Sequence, residues 1–164
     1  MKILDHRQIV QKIKRLAIEI VEQHYLDGSI ILAGINNNGY SFASLLMKEL
    51  ANYHQITAQI TRIRLNPANP IGSEVVIELP NESLANQNII IVDDVANTGR
   101  TIFYAVKPLL EIIPKKVEVA VLVDRKHKGF PIMVDYVGLS LATTLMEEIT
   151  VKIRDVEEYE VFLN

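Results

Sequence analysis

Two adjacent carboxylates, Asp93 and Asp94, follow directly on an apolar run, Ile89-Ile90-Ile91-Val92, that suits a strand buried on both faces. Small polar residues come next, in the order Val95-Ala96-Asn97-Thr98-Gly99-Arg100-Thr101. Backbone N–H groups around Gly99, the start of a helix near Arg100, and the hydroxyls of Thr98 and Thr101 would together surround a phosphate. Gly99 permits a positive φ or close backbone approach. Carboxylates beside such a loop repel phosphate, so they are expected to face sugar hydroxyls or a metal-bound group. A purely structural reading stands beside this one: the two acids cap a turn and Thr98 caps the helix.

The elements that must position these residues alternate along the chain. Ile9, Ile13, Leu16 and Ile20 recur at helical spacing, with Asp5 and Gln8 placed as a capping box and Gly28 as a stop. Residues 29–35 read as a buried strand, 36–39 (NNNG) as a loop, and 40–52 as a helix. Residues 57–65 alternate like a half-exposed strand, 66–74 form a Pro-rich exposed loop, and 75–79 return as an antiparallel partner. Further strands are expected at 117–124, near 134–141 and near 149–154. Pro108 lies inside the helix expected after Arg100 and should kink it or end it early. Strands alternating with helices predict an α/β fold, a mainly parallel sheet with helices on both faces. Ligands bind outside the carboxyl ends of such strands, where Asp93 to Thr101 fall.

Composition narrows the field. The 164 residues, 49% hydrophobic and 23% charged, predict one globular domain over 1–164. A net charge of −3 gives no overall attraction to nucleic acid or anionic membrane. The absence of cysteine excludes disulfides, thiolate zinc sites and cysteine nucleophiles. The N-terminal residues lack the apolar core of a signal peptide, and no apolar stretch approaches spanning length. A cytoplasmic protein without a membrane partner is expected.

The full string IIIVDDVANTGRT resembles the phosphoribosyl-diphosphate (PRPP) signature of the type I phosphoribosyltransferases. Three further segments, ILDHRQIVQKIKRLAIEI, ILAGINNNGYSFA and VAVLVDRKHKGFPIMVDYVG, are similar to the bifunctional pyrimidine-operon attenuator/uracil phosphoribosyltransferase subfamily. The resemblance implies a three-layer α/β fold with a twisted, mainly parallel sheet and a small flexible hood. It implies transfer of the phosphoribosyl group from PRPP, carried with Mg²⁺, to uracil or a related pyrimidine, with release of pyrophosphate. No protein-held metal site is implied, and a homo-oligomer, dimer or larger, is. Asp93 and Asp94 would hold the ribose, Ala96, Asn97, Thr98, Gly99, Arg100 and Thr101 the 5-phosphate, and Asn36, Asn37, Asn38 and Gly39 the pyrophosphate. Arg64 matches a loop arginine that would close over the leaving group. Asp124, Val137 and Leu145 are the candidates for the base, and nucleoside monophosphate is the product ligand.

Departures from the subfamily matter as much. Its pyrophosphate loop usually reads Lys-x-Arg-Gly, whereas Asn36-Asn37-Asn38-Gly39 carries no fixed charge. Charged contacts are roughly twice as strong as neutral ones. Asn97 replaces the aspartate of purine-specific relatives, and an amide cannot act as a general base. The segment 137–148 matches no relative closely, and Leu139 replaces the usual lysine. Two other readings follow. A basic cluster at 124–130 resembles that of the RNA-binding attenuators, although Ile18 stands near their histidine and no aromatic-rich surface is offered to single-stranded bases. The second is a nucleotide-sensing regulator that keeps the phosphate site without turnover.

Overall fold

Residues 1–164 are all described by the structure, a computed structural model. After a short strand β1 (Lys2–Leu4), helix α1 (His6–His24) begins at the expected capping box. The Gln8 N–H donates to Asp5 Oδ1 and the Asp5 N–H to Gln8 Oε1, both at 2.9 Å. Its apolar stripe of Ile9, Ile13, Leu16 and Ile20 is fully buried, as the periodicity requires.

The main sheet has six strands: β2 (Ser29–Ile35), β3 (Thr57–Arg64), β4 (Val76–Ile77), β5 (Asn88–Ala96), β6 (Lys116–Arg125) and β7 (Tyr136–Leu141). Their order is β4-β3-β2-β5-β6-β7, parallel throughout except for β4, which pairs antiparallel with β3. Alternation in β5 sends Ile90 and Val92 to one face and Ile89 and Ile91 to the other. The first face packs under α1 and α2 (Asn36–Leu50); the second packs under α3 (Asn81–Leu84) and α4 (Arg100–Ala105). This is the expected three-layer arrangement. Phe42 of α2 is fully buried, and truncating such a side chain to alanine costs about 3–5 kcal/mol. Pro108 ends α4 early, and residues Lys107–Glu111 continue as a tighter 3₁₀ turn.

Three short strands, β1, β8 (Ile149–Lys152) and β9 (Glu160–Leu163), form a second, antiparallel sheet in the order β1-β9-β8. It joins the two ends of the chain, and Ile149, Ile153 and Val161 pack into the cluster under α1 and α2. β1 and β9, at three and four residues, show too short a pattern to be read from sequence.

The expected loop at 36–39 is corrected. Asn36 to Gly39 form the first turn of α2, which follows β2 with no loop between. Asn36 takes a left-handed φ of 51°, which asparagine tolerates better than most residues. Its side-chain amide then bridges to β3's end: Nδ2 donates to the Leu65 carbonyl at 2.9 Å and Oδ1 accepts the Leu65 N–H at 3.0 Å.

Candidate active site

The paired acids stand where neighbouring strands part. The β2–β5 ladder ends at Gly34 and Val92, while β5 stays paired with β6 as far as Ala96 and Asp124. Asp93 and Asp94 therefore lie inside β5 but beyond the last β2–β5 pair, on a stretch that α2's first turn faces. Alternation separates their directions. Asp94 meets α2, where Asn38 Nδ2 donates to its Oδ2 at 3.2 Å, while Asp93 lines a hollow formed by the following loop. The Asp94 N–H donates to Asp93 Oδ1 and the Val95 N–H to Asp94 Oδ1, each at 2.9 Å. Asp93 is only 9% exposed. Burial, then the neighbouring Asp94 charge, holds its carboxyl well above the usual carboxylate range. Burial also raises Asp94, against hydrogen bonds that include those from Val95 and Asn38.

The hollow beside Asp93, about 40 Å³, is lined by Val95 through Ile102, so Ala96, Asn97, Thr98, Gly99, Arg100 and Thr101 all border it. Gly99 has φ 85° and starts α4, a conformation that a side chain would strain. The loop is braced from behind, with the Thr98 carbonyl accepting from the Gly129 N–H at 3.0 Å and the Phe130 N–H at 3.2 Å.

A cleft of about 390 Å³ runs from this hollow along Asp93, Asp94 and Asn97 to Asn36, Asn37 and Asn38, with Pro67 and Ile149 as walls. It continues into a space of about 350 Å³ bordered by Asn36, Asn37, Arg64, Ser73 and Glu74. The three spaces share residues at each junction and make one trough, with the acids in the middle. The asparagines do not present three free amides to it. Asn36 is bound to Leu65, Asn38 to Asp94, and Asn37 Oδ1 accepts from Arg62 Nη1 at 3.3 Å. Gly39 is buried away from the trough, where an added Cβ would stand 2.5 Å from the Val92 carbonyl oxygen. It serves close packing of α2 on β5. Arg64 borders the trough but its guanidinium is paired with Glu78 at 2.8 Å.

The base candidates are not brought together. Val137 pairs in register with Val121, three residues before Asp124, and so lies below the level of the strand ends. It lines a separate cavity of about 700 Å³ between α1, β1 and β7. That cavity holds neither the paired acids nor the glycine-started loop, and the trough remains the candidate site. Leu145 is 91% exposed on the segment between β7 and β8 and borders none of the three spaces. Asp124 is held by Lys128 at 2.5 Å, not by its neighbour Arg125. Arg125 reaches across instead: Nε donates to Thr143 Oγ1 at 2.7 Å, Nη2 to the Thr144 carbonyl at 2.8 Å, and Nη1 to Asn97 Oδ1 at 3.4 Å. An arginine only donates, so the Asn97 oxygen must face Arg125 and its NH₂ is left for the trough. Sequence reasoning missed Arg62, Arg125 and Ile149 as parts of this site. The alternation of β3 was the one sequence signal that set Arg62 on a face of the sheet.

A parallel-sheet terminus with paired acids beside a glycine-started hollow gives an α/β protein whose candidate site lies at the carboxyl ends of its strands. The phosphoribosyl transferase domain family matches residues 1–158, and the chain belongs to that family and is a phosphoribosyltransferase. Among curated relatives, the bifunctional protein PyrR of Haemophilus ducreyi is 32% identical over 160 residues, covering 92% of this chain and 88% of its own. The bifunctional protein PyrR of Macrococcus caseolyticus is 30% identical over 162 residues, covering 95% and 93%. Among solved structures, the hypoxanthine phosphoribosyltransferase of Trypanosoma cruzi superposes with a TM-score of 0.77 at 18% identity, covering 98% of this chain and 94% of its own. A hypoxanthine-guanine phosphoribosyltransferase from Bacillus anthracis gives 0.73 at 19%, covering 86% and 82%. These two likenesses bear on the fold alone.

Proposed function

We propose that the chain binds PRPP with Mg²⁺ and transfers the phosphoribosyl group to a pyrimidine, uracil first, releasing pyrophosphate. The carrying observation is the position of Asp93 and Asp94 between the hollow at 95–102 and the amide-lined end at Asn36–Asn38. A 5-phosphate in the hollow and a diphosphate at the far end would leave the ribose over the acids. The two carboxylates then accept from the ribose hydroxyls and favour the positive charge that develops at the anomeric carbon as the diphosphate departs. No side-chain nucleophile is required. The chain gathers no cluster of three or more metal-ligating side chains. Two carboxylates beside a diphosphate suit Mg²⁺, which takes one or two carboxylates and completes its shell from substrate oxygens and water. Asp94, with Asp93 behind it, is the residue that would face the ion, and the ion supplies neutralisation of the diphosphate charge.

The relatives named PyrR and the resemblance to the uracil-using subfamily support a pyrimidine. Asn97, whose oxygen Arg125 occupies, offers the base a donor and no proton acceptor. The same reading has residues 1–164 acting as one domain, in the cytoplasm, as a dimer or larger homo-oligomer. No helix is long and apolar enough to cross a membrane. The test is release of pyrophosphate from PRPP and Mg²⁺ with uracil, cytosine, hypoxanthine and guanine in turn. Release with uracil above the rest is the expected result. PRPP binding without release with any base would instead assign the chain to nucleotide-sensing regulators, and absence of PRPP binding would refute both.

A further inference from the structure

We propose that Arg62 supplies the positive charge that holds the leaving diphosphate, acting through the Asn37 amide. The inference rests on the transferase reading above and assigns a charge source to one end of its site.

The need is electrostatic. The first turn of α2 carries no charged side chain, Asn36 is tied to the Leu65 backbone, and Arg64 is neutralised by Glu78. Glu74 also borders this end, so its fixed side-chain charges, Arg62 aside, sum against an anion. Arg62 is the exception. It extends from β3 towards α2, its guanidinium carbon 4.0 Å from the centre of the Tyr40 ring. No carboxylate lies within ion-pair distance of it. Its Nε is buried with no hydrogen-bond partner. A half-buried guanidinium normally finds a carboxylate, because removing charge from water is costly. Tyr40 offsets part of that cost through its π face. The remaining partner is Asn37, whose Oδ1 takes the Arg62 Nη1 hydrogen bond.

That bond has a consequence for the trough. Asn37 borders both spaces at this end. With its oxygen turned to Arg62, its NH₂ is the group left to donate, and the guanidinium behind it polarises the amide in the direction an anion requires. The arrangement places a positive charge one side chain back from the trough.

The experiment compares Arg62→Met, Arg62→Lys and Asn37→Ala with the wild-type chain. Calorimetry measures the affinities for pyrophosphate with Mg²⁺ and for uridine monophosphate, at low and moderate salt. The monophosphate fills the phosphate and ribose positions but not the diphosphate end. The ratio of pyrophosphate to monophosphate affinity is expected to fall on the order of tenfold in Arg62→Met, the size of one lost charge-assisted contact. Arg62→Lys should recover part of it, and Asn37→Ala should reproduce the loss. The double variant should lose no more than the larger single loss, since the two residues act as one unit. A merely structural Arg62 would lower both affinities together and leave the ratio unchanged, which would overturn the inference. Wild-type binding of the monophosphate without pyrophosphate would also overturn it while sparing the ribose and phosphate assignments. Binding of neither ligand would bring down the proposed function itself.

Discussion

Asp94→Asn separates the ribose contact from the rest of the site. The substitution keeps the shape of the side chain and one of its two local bonds, since the single asparagine oxygen accepts either from the Val95 N–H, at 2.9 Å in the wild type, or from Asn38 Nδ2, at 3.2 Å, and its NH₂ faces the other donor. What it removes is a negative charge and one strong acceptor for a sugar hydroxyl. Losing a charged hydrogen-bond partner costs about 1–3 kcal/mol, roughly five- to 150-fold in affinity. Ribose 5-phosphate and uridine monophosphate should weaken by that factor. Inorganic phosphate, which fills only the small hollow, should bind as before or more tightly, because a nearby like charge is gone. The unliganded protein should gain stability at neutral pH. Asp94 is raised by burial, so its charged form is a cost to the fold that is absent near the ordinary carboxylate value of 3.8 and grows as pH rises through the raised value. Each 1 kcal/mol moves Tm by about 2–4 °C at this chain length. Isothermal titration with the three ligands, and melting curves at pH 4 and pH 7, read both effects. Equal losses for ribose 5-phosphate and phosphate would show general damage and refute a ribose contact.

Gly99→Val should abolish binding of ribose 5-phosphate and nucleoside monophosphates, because a β-branched residue resists φ 85° and meets Ile132 at 3.2 Å; titration checks it, and unchanged affinity in a folded variant would end the phosphate assignment. Asp93→Asn should raise Tm at pH 7, with the gain shrinking towards pH 4, since burial and the neighbouring Asp94 charge raise its carboxyl. A Tm gain independent of pH would contradict that cause. Gly39→Ala should destabilise by about 1–3 kcal/mol or more, as its Cβ would press on the Val92 carbonyl; urea denaturation reads this, and a neutral result would mean α2 can shift off β5 freely.

The sequence by itself determined the strand that carries the acids, the helix start at Asp5, the break at Pro108 and the conformation required of Gly99. Each depends on neighbours a few residues apart: apolar alternation, a side chain reaching back three positions, a ring without an N–H, a missing Cβ. Resemblance to a family then supplied the proposed order of ligand groups along the trough. Tertiary structure decided what each polar group has left to offer. Asn36 spends its amide on Leu65, 29 residues away; Asn37 turns its oxygen to Arg62, 25 away; Asn97 is turned by Arg125, 28 away. No local pattern specifies such pairings, because they depend on which strand neighbours which and in what register. The same dependence explains Val137 and Leu145. Their place in the chain suggested a base site, but β7 pairs with β6 in a register that leaves Val137 below the cleft, and Leu145 stands in solvent.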